Sequence, residues 1–151
     1  MKEEFPPLYV PGMHDISIGD INRIFLDSFD VKDRRTFLIG RFQAFMNRFR
    51  KLRIPAEIWI DGSFSTLKPE PNDIDMVIFL NETDVNQLSP ANMGILEDLF
   101  NENIAISRYS IHLFCVPSSN VTRRHYFEEK FGFSEINKTP KGIPRIYHGV
   151  S

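Results

Sequence analysis

Trp59-Ile60-Asp61-Gly62-Ser63, nine further residues, then Asp73-Ile74-Asp75-Met76-Val77-Ile78-Phe79-Leu80: this stretch reads as a strand, a glycine-serine turn, a short excursion and a strand that opens on two carboxylates. Side chains alternate along a strand, so residues two apart share a face. Asp73 and Asp75 are therefore expected to point the same way, a few ångströms apart. Like charges that close are unfavourable unless something cationic neutralises them. A hard divalent ion with oxygen ligands meets that need, and magnesium is usually held by one or two carboxylates plus substrate phosphates. Glycine at 62 lets backbone amides approach a phosphate, and the Ser63 hydroxyl can add a contact. Asp-x-Asp alone is common in turns, where both side chains are simply solvated. A strand ending in Gly-Ser, a short gap and an apolar run after the acids make the pattern far more specific.

The second strand carries a wholly apolar face (Ile74, Met76, Ile78, Leu80) and a mixed one (Asp73, Asp75, Val77, Phe79). Such a strand belongs inside a sheet, with helices covering it. Asp33 to Leu52 supplies the strongest helix signal. Leu38, Phe42, Phe45, Phe49 and Leu52 step by four, three, four and three, which makes one apolar stripe. Arg34, Arg41 and Arg48, spaced by sevens, line the opposite side, with Arg35, Arg50, Lys51 and Arg53 nearby. That row reads as a solvated helix face or, functionally, as a surface for RNA or another polyanion.

Further helices are expected over Asp15–Phe29, where Ser17 and Asp20 suit a capping box, over Pro90–Asn101, and over Val121–Phe131 with Ser119 or Asn120 as cap. A third strand is expected over Ser110–Val116, and Asn81–Pro90 reads as polar loop. Residues 1–14 and 134–151, punctuated by proline and glycine, read as extended arms on a single domain spanning 1–151. The expected fold is α/β (α+β): a small mixed sheet of three to five strands with helices packed on one face and a cleft on the other.

Composition narrows the function classes. With 151 residues, 42% hydrophobic and 25% charged, the chain can bury one core. A net charge of −2 argues against a protein that coats nucleic acid generally. One cysteine, Cys115, excludes an internal disulfide. No opening apolar stretch suggests a signal peptide, and no segment has the run of apolar residues that a membrane span needs, so a cytoplasmic protein is the expectation.

The Gly62-Ser63…Asp73-x-Asp75 pattern resembles the nucleotidyltransferase superfamily that includes DNA polymerase β and the small minimal nucleotidyltransferases. The match is good over residues 57–80 and loose elsewhere. The chain is also similar to small bacterial domains of this type that share its Pro11-Gly12-Met13-His14 opening, its Trp-Ile-Asp-Gly-Ser-Phe core and a Pro-Lys-Gly-Ile segment. The resemblance implies transfer of a nucleoside monophosphate from a triphosphate to an acceptor. It implies two metal ions, Mg2+ or Mn2+, bridged by Asp73 and Asp75, with Gly62 and Ser63 on the β- and γ-phosphates. Lys68 could reach the triphosphate. The acceptor would be a protein, an RNA or a small molecule, with a protein partner or a homodimer completing its site. Bacterial toxin–antitoxin or defence modules are the implied context.

The superfamily normally adds a third carboxylate from a neighbouring strand, and here His112 stands in its place. Imidazole suits manganese, zinc or iron better than magnesium. His112 could be a ligand for a softer metal or a general base. It could mark a chain that binds a nucleotide without transferring it, acting as a sensor or partner-binding module, or it could be an ordinary half-buried histidine. Asp61, beside the turn, is the other acid that could complete the site. Arg108, Arg123, Arg124, Lys141 and Arg145 are weaker candidates for phosphate or acceptor contacts.

Overall fold

A computed structural model describes residues 3–149. The outermost residues of both expected arms, 1–2 and 150–151, lie outside the described residues. Five strands form one mixed sheet: β1 (Gly12–Asp15), β2 (Ala56–Asp61), β3 (Ile74–Leu80), β4 (Ile111–Pro117) and β5 (Gly142–His148). Their order across the sheet is β1-β5-β2-β3-β4. β2 runs antiparallel to both β3 and β5, whereas β3 and β4 are parallel, as are β1 and β5. The α/β expectation and the interior position of the acid-bearing strand both hold.

The helices are α1 (Ile21–Phe25), α2 (Asp33–Arg50), α3 (Glu82–Asn86), α4 (Pro90–Leu99), α5 (Glu102–Tyr109) and α6 (Val121–Phe131). The α2 stripe is buried as its spacing predicts, with Leu38, Phe42, Phe45 and Phe49 at 1% exposure or less. It packs with Ile74, Met76, Ile78 and Leu80 of β3 and with Ile58 and Ile60 of β2 in the main core. α6 departs from the expectation that helices occupy one face only. Its Phe127 and Phe131 cover Trp59, Val77, Phe79 and Val116 on the other face, in a second core. Asp61, Asp75 and His112 lie on that same face, beyond the part that α6 covers.

Several local expectations need correction. The N-terminal helix is only one turn, because Gly12–Asp15 is taken into the sheet and a 3-10 turn follows at Ile18–Asp20. The expected Ser17–Asp20 capping box is present there. The polar loop after β3 contains α3, capped by Asn81, and Asn101 caps a further helix, α5, that precedes β4. The largest correction concerns the C-terminal arm, whose residues 142–148 form an interior strand. Among the described residues, no helix is long and apolar enough to cross a membrane.

Candidate active site

β2 ends at Asp61, and the chain turns sharply at Gly62, whose φ of +78° and ψ of −169° suit glycine alone. The turn continues as a 3-10 segment, Ser63–Ser65, closed by Ser65 N–H to Gly62 O at 3.1 Å and Thr66 Oγ1 to Ser63 O at 2.7 Å. Register then assembles the site. Asp61 pairs with Asp75 across β2 and β3, and Asp75 pairs with His112 across β3 and β4. The three side chains form one row across the sheet, at the open end of the face that α6 partly covers.

Asp75 lies directly against the turn. A Cβ added to Gly62 would sit 2.8 Å from Asp75 Oδ2 and 3.0 Å from its carboxyl carbon. Asp75 thus meets the turn, while Asp73 stands just before β3 rather than within it. Burial, followed by the neighbouring Asp73 charge, raises the Asp75 carboxyl above its ordinary value. His112, Lys130 and Lys141 oppose that rise. Ser63 is half-buried, and no hydrogen bond within the described residues engages its hydroxyl.

His112 is not a core histidine. Its side chain is 57% exposed, its ring lies against Phe114 at 4.7 Å between centroids, and Nδ1 is 3.6 Å from Asp75 Oδ1. The expected shared face with Phe114 and Val116 is correct.

Asp61 is engaged differently from its neighbours. It forms an ion pair with Lys141, and both side chains are about nine-tenths buried. Burial pushes the Asp61 carboxyl up to about 6, against the pull of the Lys141 charge and the Gly62 amide. Lys141 comes from the residue just before β5, so the C-terminal segment delivers a cation into the acid row. A cavity of about 330 Å³ opens beside it, lined by Met13, Ile143, Phe133, Glu128 and Lys141 among others.

Arg35 is the positioning residue that the sequence reading placed wrongly on an exposed face. It is fully buried, with its guanidinium 3.7 Å from the Phe29 ring centroid. It donates to the carbonyls of Phe25 (3.0 Å), Phe64 (2.9 Å), Thr66 (2.8 Å) and Lys68 (2.8 Å). Burial lowers its pKa to about 10, which leaves it charged at neutral pH. Helical spacing could have found it, since Arg35 stands three and seven residues before Leu38 and Phe42 on the buried stripe. Lys68 has its carbonyl held by Arg35 and its amide by Thr66 Oγ1, while no ion pair among the described residues involves its ammonium.

The arginine row is committed to the chain itself. Arg34 donates to the carbonyls of Pro71 (3.0 Å) and Asn72, which frames the segment leading into Asp73. Arg41 reaches Ser107 O and Ser110 Oγ, and Arg48 binds Asp98 and Tyr109. Of the weaker candidates, Arg124 pairs with Glu57 at 3.0 Å, Arg145 with Asp15 at 2.6 Å and Arg108 with Asp98 at 3.5 Å. Arg123 lies over the rings of Tyr126 and Phe127 on α6.

Residues 3–147 match a single family model, which takes in the acid row, the Gly62 turn and Lys141. The chain belongs to DUF6932, a family of unknown function. No match was found among curated proteins or among solved structures. The metal chemistry of this DUF6932 chain therefore has to be judged from its own donors. Among the described residues, no group of three or more His, Cys, Asp or Glu side chains is arranged to hold a metal ion. Asp75, with the Asp73 charge acting on it, lies against the Gly62 turn, and Asp61 already has a cation. This donor set fits an ion that arrives with phosphate ligands of its own.

Proposed function

We propose that this DUF6932 chain is a metal-dependent nucleotidyltransferase that moves a nucleoside monophosphate from a triphosphate to an acceptor hydroxyl. The observation that carries the reading is the close packing of the Asp75 carboxylate against the Gly62 turn, with the Asp73 charge beside it. A phosphate on the turn and an ion on the acids would be neighbours there. Asp73 and Asp75 would hold Mg2+ or Mn2+. The ion neutralises charge on the triphosphate and its leaving group.

The remaining work falls to the chain. Gly62 and Ser63 bind the β- and γ-phosphates, with Lys68 within the same loop. The acceptor oxygen bonds to the α-phosphorus, the α–β phosphoanhydride bond breaks, and pyrophosphate leaves with its electron pair. The acceptor proton passes to the imidazole of His112, which stands exposed beside Asp75. A protein partner or a second copy would present the acceptor, whether protein, RNA or small molecule.

A second reading, nucleotide binding without transfer, is favoured by one observation: the third acidic position holds His112, and Asp61 is paired with Lys141. Substitution separates the two. If His112 works as a base, His112→Asp lowers transfer. If the chain is a decayed enzyme, the same change raises transfer or metal affinity.

The deciding experiment is thermal stability with each ribonucleoside triphosphate, in Mg2+ and in Mn2+, for the wild type and Asp73→Ala/Asp75→Ala. Ligand at a hundred times its dissociation constant stabilises by about 2.7 kcal/mol. A metal-dependent rise that the variant loses supports the site. A wild type indifferent to every triphosphate and metal sinks it.

A further inference from the structure

We propose that the ammonium of Lys141 stands in for the second metal ion, so that the site takes one divalent cation rather than two. The inference rests on the nucleotidyltransferase reading and concerns how its charge is arranged.

A two-metal site needs acids enough to hold both ions. The row across β2, β3 and β4 offers Asp61, Asp75 and His112, with Asp73 just before β3. Asp61 is the only further carboxylate in that row. It lies directly opposite Asp75 on the neighbouring strand, where paired side chains stand about 4.5–5.5 Å apart at Cβ. Its carboxylate is taken by Lys141, and the pair is nearly closed to solvent. A buried pair of this kind is not given up cheaply, because removing one partner strands the other's charge. His112, at the opposite end of the row, offers one exposed imidazole, a single donor where a second divalent ion needs several.

Charge leads to the same count. Asp61, Asp73 and Asp75 together carry three negative charges when ionised. One divalent ion and the Lys141 ammonium balance them without a second ion. The field of Lys141 also reaches Asp75 itself. A lysine at this point supplies cationic charge with no metal to bind or lose. Because it is delivered by the segment entering β5, its position is set by the sheet.

The test counts ions. Wild-type chain is equilibrated by dialysis with Mn2+ and the α,β-methylene analogue of each ribonucleoside triphosphate, and the Mn2+ and nucleotide retained per chain are measured alongside electron paramagnetic resonance. The expected result is one Mn2+ for each nucleotide, with no exchange-coupled signal. Lys141→Ala, which frees Asp61, is expected to raise the ratio towards two. Two Mn2+ per nucleotide on the wild type, with a coupled pair in the spectrum, would overturn the proposal while leaving the nucleotide site intact. Retention of neither nucleotide nor Mn2+ would overturn both. If Lys141→Ala does not fold, the wild-type count decides alone.

Discussion

Gly62 lies so close beneath Asp75 that a single methyl group at position 62 would press on the carboxylate at 2.8 Å. A left-handed φ and a close approach coincide at one residue. Gly62→Ala therefore has to strain the backbone and also displace the acid. The expected outcome is a loss of about 1–3 kcal/mol of stability, with loss of any metal-dependent thermal shift from triphosphate. Gly94→Ala, within α4 and with nothing within 4 Å of an added Cβ, is the control: it should raise stability by about 0.5–1 kcal/mol and leave the triphosphate shift unchanged. Retention of the triphosphate shift in Gly62→Ala would separate Asp75 from the turn.

The Asp61–Lys141 pair gives stability a pH dependence of defined sign. Burial raises the Asp61 carboxyl from its ordinary 3.8 to about 6, so the folded chain holds this proton more tightly than the unfolded one. Its contribution is fully present below about 4 and is lost as pH rises through about 6. In urea unfolding across that range, Asp61→Asn should flatten the profile. Lys141→Met removes the cation that restrains the shift and should extend the decline to higher pH. At neutral pH it should cost about 3–5 kcal/mol, with partial recovery in Asp61→Asn/Lys141→Met.

Arg35 should behave as a core residue despite its charge. Arg35→Met leaves the carbonyls of Phe25, Phe64, Thr66 and Lys68 without their donor. Each buried group left unsatisfied costs about 1–3 kcal/mol. The expected result is a marked fall in melting temperature, with fast amide exchange confined first to residues 62–68. A melting temperature within a degree or two of wild type would show that the loop does not depend on it.

The arginine row should not act as a polyanion surface. Arg34, Arg41 and Arg48 each hold neighbouring parts of the chain. Arg41→Gln/Arg48→Gln is expected to leave retention on heparin almost unchanged, and to cost only about 1 kcal/mol or less for each exposed pair. A large, salt-sensitive loss of heparin or RNA affinity would restore the RNA reading.

How far the sequence reaches follows from which signals are local. β2 and β3 are legible because alternation and apolar runs identify them without reference to the rest of the chain. The meeting of Asp75 with the Gly62 turn follows from that pairing alone. β5 is hidden because Pro140, Gly142 and Pro144 punctuate it and only Ile143 and Ile146 are aliphatic. Pro144 is tolerated because it lies beyond the ladder with β2, which starts at Arg145, and is matched to His14 on β1. The Asp61–Lys141 pair joins residues eighty positions apart, and no periodicity reports such a contact. Arg35 was hidden by its own charge, which outweighed the helical spacing that puts it inside.

The place of β5 has a consequence for the order in which the molecule can be made. β1 has β5 as its neighbour in the sheet, and β5 follows every other strand in chain order. At about 5–20 residues per second, the ribosome separates their emergence by roughly 6–25 seconds. Throughout that interval the outer edge of β2 and the whole of β1 have no strand to pair with, and Asp61 has no cation. A nascent chain halted before residue 141 should therefore hold the α2–β3–β4 side of the molecule while Asp61 waits for its partner, which makes the arrival of β5 the event that completes the row.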